Sequence, residues 1–289
     1  MDFFTCPKCG GLLRQREEGA SLACPAGHAY DVAAAGYVNL LLANQKHSKD
    51  PGDSPEMVRA RRNFLETGAY APFSEKLCEL AAGELRRLSE GPRQAGRTDR
   101  PAVLLDAGCG EGYYTGHLAE YLPAHGIDAR IFGFDLGKTA VRYAAKRCRA
   151  VSFAAASAFS IPCAERAADG LIDLFAPIVP AEFARVVRPG GFMLLAVPGP
   201  RHLYALKQQL YERPYENESR EIDYPGFRRC GRERVSFSLR LSRKQDILNL
   251  FRMTPYYWKT PAEGRRRLEE LDTLTTEACF DFLTFRREE

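Results

Sequence analysis

The 289-residue chain has no uncharged apolar run near the length needed to cross a bilayer, so no membrane-spanning helix is expected. It also lacks a strong charge of either sign. Its 41 lysines and arginines against 37 acids leave +4 at pH 7, too little to prove a nucleic-acid partner by charge alone. The cysteine density of a small secreted scaffold is missing too: nine cysteines, an odd number scattered through a chain this long, read as reduced thiols with room for a metal site. Internal repeats and low-complexity tracts are absent. The opening Met1-Asp2-Phe3-Phe4-Thr5-Cys6 is too short and too soon interrupted to read as a secretion signal, and a cytoplasmic protein is expected. The length allows one domain with a full core plus smaller attachments, or two domains.

What is present is concentrated in Val103 to Thr115, V-L-L-D-A-G-C-G-E-G-Y-Y-T, an apolar strand running into an acid and a glycine-dense turn. Gly108, Gly110 and Gly112 permit backbone angles closed to other residues and let the chain approach a ligand closely. A dinucleotide site spaces its glycines G-x-G-x-x-G to seat a pyrophosphate, but here the third position is Tyr113, and Asp106 and Glu111 bracket the loop. Two carboxylates would repel a phosphate and suit a cofactor carrying an amine and a sulfonium, S-adenosylmethionine. Ile131 to Asp135, I-F-G-F-D, adds a strand ending in an acid able to accept from both ribose hydroxyls. The alternative is a doubly wound nucleotide fold with another ligand.

Cys6-Pro7-Lys8-Cys9 is followed by Cys24-Pro25-Ala26-Gly27-His28, two close pairs around a short hairpin, which is what tetrahedral zinc requires. Cys6, Cys9, Cys24 and His28 would fill the coordination sphere, so the zinc is expected to be structural, with no open position to activate water. The competing reading is free cysteines with a chance histidine. A module this small would draw most of its folding energy from the metal. It either presents Lys8, Arg14 and Arg16 to a nucleic acid or simply caps the main domain. Three further arginine groups, Arg59/61/62, Arg228/229/232/234 and Arg265/266/267, read as solvated faces singly and as a polyanion surface together.

Between these features, Asp50 to Glu56 reads as a turn feeding a helix capped by Ser54 with Pro55 at its first position, running to Gly68. A second helix is expected from about 71 to 88, then a glycine- and proline-rich link over 90–100. Beyond the turn, helices near 114–122, 138–147 and 181–187 alternate with strands near 131–134, 151–154, 170–175 and 192–197. Arg188-Pro189-Gly190-Gly191 reads as a tight turn, and strands near 235–242 and 278–286 complete the sheet, the last antiparallel. The expected fold is α/β: a doubly wound, mostly parallel, seven-stranded Rossmann-like sheet with a small zinc-binding module ahead of it. The expected division is 1–36 for that module, 37–100 for a helical bridge and linker, and 101–289 for the cofactor domain.

The chain resembles the ribosomal RNA large-subunit guanine-N1 methyltransferases, the RlmA/RrmA family including its tylosin-resistance branch, almost end to end. The resemblance rests on C-P-K-C, C-P-A-G-H, G-Y-V-N-L from Gly36, D-P-G-D-S-P-E-M from Asp50, and A-R-R-N-F-L from Ala60. It continues through D-A-G-C-G-E-G-Y-Y-T, F-A-P at Phe175, R-V-V-R-P-G-G from Arg185, P-G-P-R-H-L from Pro198 and M-T-P from Met253. It implies methylation of a guanine N1 in a 23S rRNA hairpin, zinc on Cys6, Cys9, Cys24 and His28, and a homodimer building a shared RNA cleft. It also implies cofactor contacts from Tyr70, Gly110, Glu111 and His202, which join Asp106, Gly108 and Asp135 as candidate cofactor residues. The segments 90–100 and 213–234 carry no family motif, which leaves the RNA contacts and the base chosen open. Guanine N1 must lose its proton for transfer, and Asp169 and Asp173 near F-A-P are candidates with no base assigned. Phe175 reads either as a stacking platform for a flipped base or as packing. A small-molecule methyltransferase and an inactive zinc-bearing RNA-binding protein are the other function classes the residues allow.

Overall fold

The computed structural model describes residues 3–16, 20–42, 51–90, 100–218 and 222–289. Asp50 and the interior of the expected link at 90–100 lie outside the described residues. At the front, β1 (Arg14–Gln15), β2 (Ser21–Ala23) and β3 (Ala29–Asp31) form an antiparallel three-stranded sheet. Next come β4 (Tyr37–Asn39), α1 (Pro55–Leu65) and α2 (Ala71–Glu90). Ser54 caps α1 as expected, its Oγ accepting from the Met57 amide at 3.2 Å, with Pro55 in the first turn.

The cofactor region alternates β5 (Ala102–Ala107), α3 (Tyr113–Ala124), β6 (Ala129–Asp135), α4 (Lys138–Arg147), β7 (Ser152–Ala155), β8 (Ala168–Leu174), α5 (Pro180–Val186) and β9 (Val187–Pro198). After α6 (Tyr204–Leu210) comes β10 (Phe227–Leu241), then α7 (Lys244–Arg252), α8 (Tyr256–Lys259) and α9 (Ala262–Glu269) lead into β11 (Leu274–Arg287). The main sheet runs β10-β11-β9-β8-β5-β6-β7-β4. β11 alone runs against the others, pairing antiparallel on both sides. All seven residues of β8 are buried, the near-continuous apolar run of a strand covered on both faces.

The seven expected strands gain an eighth, because Tyr37–Asn39 pairs parallel with β7. Three residues are too few to show a period. The Pro-Gly-Gly turn falls inside β9: Ala168 pairs with Val187 but Gly170 pairs with Phe192, so residues 188–191 bulge out, with Gly190 at φ +73°. β10 starts eight residues earlier than expected, taking in the Arg228–Arg234 group. As an edge strand it is largely solvent-facing, and its charge hid the extended pattern.

Side-chain alternation splits the core between the two faces of the sheet. Leu104, Ile172, Leu194 and Phe280 face α1 to α4 and the later helices, whereas Leu105, Leu171, Met193 and Phe132 face the other way. The second core does not end at the sheet. Phe3, Phe4, Leu13 and Leu22 of the front module belong to it, with Phe3 stacked on Phe132 at 4.2 Å.

Candidate functional site

The C-terminal ends of β5, β6 and β8 meet at the glycine turn. Gly108, Gly110 and Gly112 adopt φ of +76°, +56° and +80°, and the amides of Gly108 and Cys109 donate to the Phe134 carbonyl at 2.8 and 3.0 Å, pinning the turn to β6. A methyl group at Gly108 would lie 2.3 Å from Ala176 Cβ, so only glycine lets the turns after β5 and β8 nest. Gly108→Ala combines a left-handed backbone with that collision, at about 1–2 and 1–3 kcal/mol respectively. It should weaken cofactor binding roughly 30-fold or more in calorimetry. Gly83→Ala, in exposed helix with nothing within 4 Å, should be neutral or stabilising.

Asp106 and Glu111 are both 2% exposed. Thr115 Oγ1 donates to Asp106 Oδ2 at 2.5 Å, while Glu111 Oε1 is buried with no partner. Asp135 accepts from the amides of Gly110 at 3.1 Å and Gly137 at 2.7 Å. Burial, reinforced by Asp135 and Glu111 and opposed by the Thr115 hydrogen bond, pushes the Asp106 carboxyl up to about 7. Burial also raises Glu111 and Asp135, against the pull of Arg61 on both. This acid-rich pocket with an orphaned carboxylate oxygen fits a ligand carrying an ammonium and a sulfonium.

The pH consequence has a definite sign. The free folded chain keeps a proton on Asp106 up to about pH 7, and a bound cation favours the ionised form, so binding expels that proton. Cofactor titrations at pH 6 in buffers of different ionisation enthalpy should therefore show proton release, falling away by pH 8.5. Buffer-independent heats at pH 6 would refute this.

Tyr70 and His202, distant in sequence, meet at one ring: Phe280 lies 5.5 Å from Tyr70 and 4.3 Å from His202. Both are buried in an aromatic cluster. His202 Nδ1 accepts from the Cys279 amide at 3.3 Å, and burial with nearby Lys207 lowers the imidazole to about 3, so it is neutral. Phe175 joins the same cluster through Phe73 and Phe280, yet stays 51% exposed at a strained φ of +70°.

The two acids near F-A-P separate cleanly. Asp169 is structural, taking Arg100 at 2.9 Å, Arg188 at 2.5 Å and the Val103 amide at 2.7 Å. Asp173, 2% exposed at the end of β8, accepts from the Ala176 amide at 3.0 Å through Oδ1 and has no partner on Oδ2. Burial, with Asp106 adding to it, brings its carboxyl up to about 7 against the pull of the Ala176 amide.

In the front module, Cys6 Sγ and Cys24 Sγ each lie 3.5 Å from His28 Nδ1, and Cys9 Sγ lies 3.5 Å from Cys24 Sγ. All four atoms fall within 4.8 Å of one another. Zinc bonds of about 2.0–2.3 Å put tetrahedral edges at roughly 3.5–3.8 Å, so the donor set fits this metal. Tyr30 Oη sits 3.1 Å from Cys6 Sγ as an outer hydrogen-bond partner.

Sequence reasoning missed two parts of the cleft. Arg61, read as part of a surface cluster, turns inward: its Nη2 pairs with Asp53 at 2.5 Å and its Nη1 lies 3.9 Å from where a Gly110 side chain would begin. Phe73 and Phe280 were read only as helix and strand residues. The available signal for Arg61 was chemical, since several buried acids around one turn call for a neighbouring cation.

A glycine turn bracketed by acids at the mouth of a doubly wound sheet, with a Cys3His ribbon docked behind it, defines an S-adenosylmethionine-dependent methyltransferase with a zinc ribbon. Residues 4–49 match the family described as RlmA, N-terminal, and residues 104–191 match the methyltransferase domain. The chain is 35% identical to the 23S rRNA (guanine(748)-N(1))-methyltransferase of Streptomyces fradiae, covering 93% of this chain and 91% of that one. It is 33% identical to a putative 23S rRNA (guanine-N(1)-)-methyltransferase of Micromonospora griseorubida, covering 94% and 92%. For YxjB of Bacillus subtilis strain 168, also named a putative enzyme of this kind, the identity is 28% over 97% and 95%. The chain belongs to the 23S rRNA (guanine-N1)-methyltransferase family.

Proposed function

We propose that this protein transfers a methyl group from S-adenosylmethionine to N1 of a guanine in a 23S rRNA hairpin. The observation that carries this is the union of two parts on one core: an acid-lined cleft on the sheet and a zinc ribbon whose Lys8, Arg14 and Arg16 are all exposed. Tyr70, Asp106, Gly108, Gly110, Glu111, Asp135 and His202 form or support the cofactor site, and Cys6, Cys9, Cys24 and His28 hold the zinc. Bound S-adenosylmethionine supplies an activated methyl on a positive sulfur.

The chain's own task is to present the base and take its proton. Phe175, strained and half-exposed above the turn, offers a ring face to a guanine that has left its stack. Asp173, two residues earlier at the end of β8, accepts the N1 proton through its unpaired Oδ2, as the N1–methyl bond forms and the sulfur–methyl bond breaks. Functional assignment follows the expected division, with 1–36 recognising RNA, 37–100 bridging, and 101–289 performing transfer. The enzyme works in the cytoplasm as a homodimer building a shared RNA cleft. No described helix is long and apolar enough to cross a membrane.

Radiolabelled methyl transfer to unmodified 23S rRNA, set beside small-molecule acceptors, tests the proposal. Label at guanine N1 is expected. Label only in small molecules would mark a small-molecule methyltransferase, and RNA binding without transfer would mark an inactive RNA-binding protein.

A further inference from the structure

The cofactor read from this cleft is a zwitterion: its ammonium and sulfonium suit the acids already described, but its carboxylate has to enter the same pocket. Glu111 and Asp135 would repel it unless a cation stands between. Two arginines act electrostatically on Glu111, Arg61 from α1 and Arg147 from α4. Arg147 is committed elsewhere, paired with Glu66 at 2.5 Å and lying over the Tyr113 ring at 5.6 Å. Arg61 is different. Asp53 engages its Nη2, while Nη1 lies over Gly110 at the centre of the turn.

The segment bearing Arg61 is fixed against the cleft. Gly52, at φ +92°, packs so closely on Gly137 that a side chain there would lie 2.8 Å from the Gly137 backbone. Gly137 in turn donates to Asp135, so the loop ahead of α1 rests on the residue that orients the ribose-binding acid. Glu56, five residues before Arg61, ties α1 to α7 through Arg252 at 3.3 Å. A guanidinium in this position is pre-oriented, and its planar fork can keep Asp53 on one nitrogen while offering the other.

We propose that Arg61 receives the carboxylate of S-adenosylmethionine through Nη1, making Asp53 to Arg61 the carboxylate-recognition arm of the cleft. This rests on the methyltransferase reading. It assigns a binding role to the P-G-D-S-P-E stretch from Pro51 and the A-R-R-N-F stretch from Ala60, which lie outside the glycine turn.

The test is calorimetry on the zinc-replete full-length chain with S-adenosylmethionine and its decarboxylated analogue, for wild type, Arg61→Ala and Arg61→Lys. Zinc content and unfolding temperature serve as folding controls. Wild type should prefer the intact cofactor, and Arg61→Ala should lose on the order of 10- to 100-fold in affinity for it while holding the analogue within about threefold. Arg61→Lys should fall between, keeping the charge but not the fork. Equal weakening for both ligands, no weakening, or a wild type indifferent to the carboxylate would overturn the assignment and leave the methyltransferase reading standing. A wild type that binds neither ligand would sink that reading, and this inference with it.

Discussion

Asp173→Asn is expected to lower the single-turnover methylation rate by about 10²- to 10⁴-fold, the usual worth of a positioned general base. Asparagine still accepts from the Ala176 amide, so the turn carrying Phe175 should persist and cofactor affinity should change little. What it cannot do is take a proton. The wild-type rate should climb about tenfold per pH unit below 7 and level off above, because Asp173 acts only when ionised and its carboxyl lies at about 7. In the variant that limb should disappear. A purely bracing role for Asp173 would leave the pH profile of the variant parallel to that of the wild type, and this outcome would remove it from the chemistry. The strain at Phe175 bears on the same question. A φ of +70° costs a non-glycine residue about 1–3 kcal/mol, and the Asp173–Ala176 hydrogen bond helps hold it.

Asp173 also marks where sequence reading stopped. That Asp106, the three glycines and Asp135 would come together at one strand-turn-helix was legible, because that pattern is local. The zinc ligands were legible for the same reason, two tight pairs and a hairpin. Choosing between Asp169 and Asp173 was not a local question. They sit four residues apart on one strand, and what separates them is that Arg100 and Arg188 converge on Asp169 from distant segments. Arg61 was hidden similarly, since its neighbours Arg59 and Arg62 face outward on the same helix, Arg62 lying over Tyr143 at 5.0 Å. The helices between β9 and β11 went unassigned: α6, α7, α8 and α9 span only seven, nine, four and eight residues, too few turns for a 3.6-residue pattern to stand out, and in α9 tertiary packing of Leu268 and Gly264 settles the helix. Of the three arginine groups, the one on β10 is the most changed by the fold. Arg232 and Arg234 converge on buried Asp281 at 2.6 and 2.7 Å, which withdraws part of their charge from any RNA.

Removing zinc is expected to damage more than the ribbon. A structural site of this kind is worth about 10–16 kcal/mol of apparent binding energy, comparable to or larger than the about 5–15 kcal/mol that holds a whole domain together. The ribbon has no core of its own on which to fall back: Cys6, Leu13, Leu22 and Cys24 are buried in the same cluster as Phe132, Leu171 and Met193 of the main sheet. The join is also hydrogen-bonded, the Thr5 amide donating to the Pro162 carbonyl at 2.8 Å. Chelation, or Cys24→Ala, should therefore release Phe3 and Phe4 from Phe132 and lower the main unfolding temperature by about 10 °C or more, in one transition. Methylation of 23S rRNA should be lost together with it. An unchanged main transition beside a separate ribbon transition would show that the metal stabilises only its own module. In that case the shared core would be a contact surface and not a cooperative unit, and zinc could act on RNA recognition without acting on the cofactor cleft.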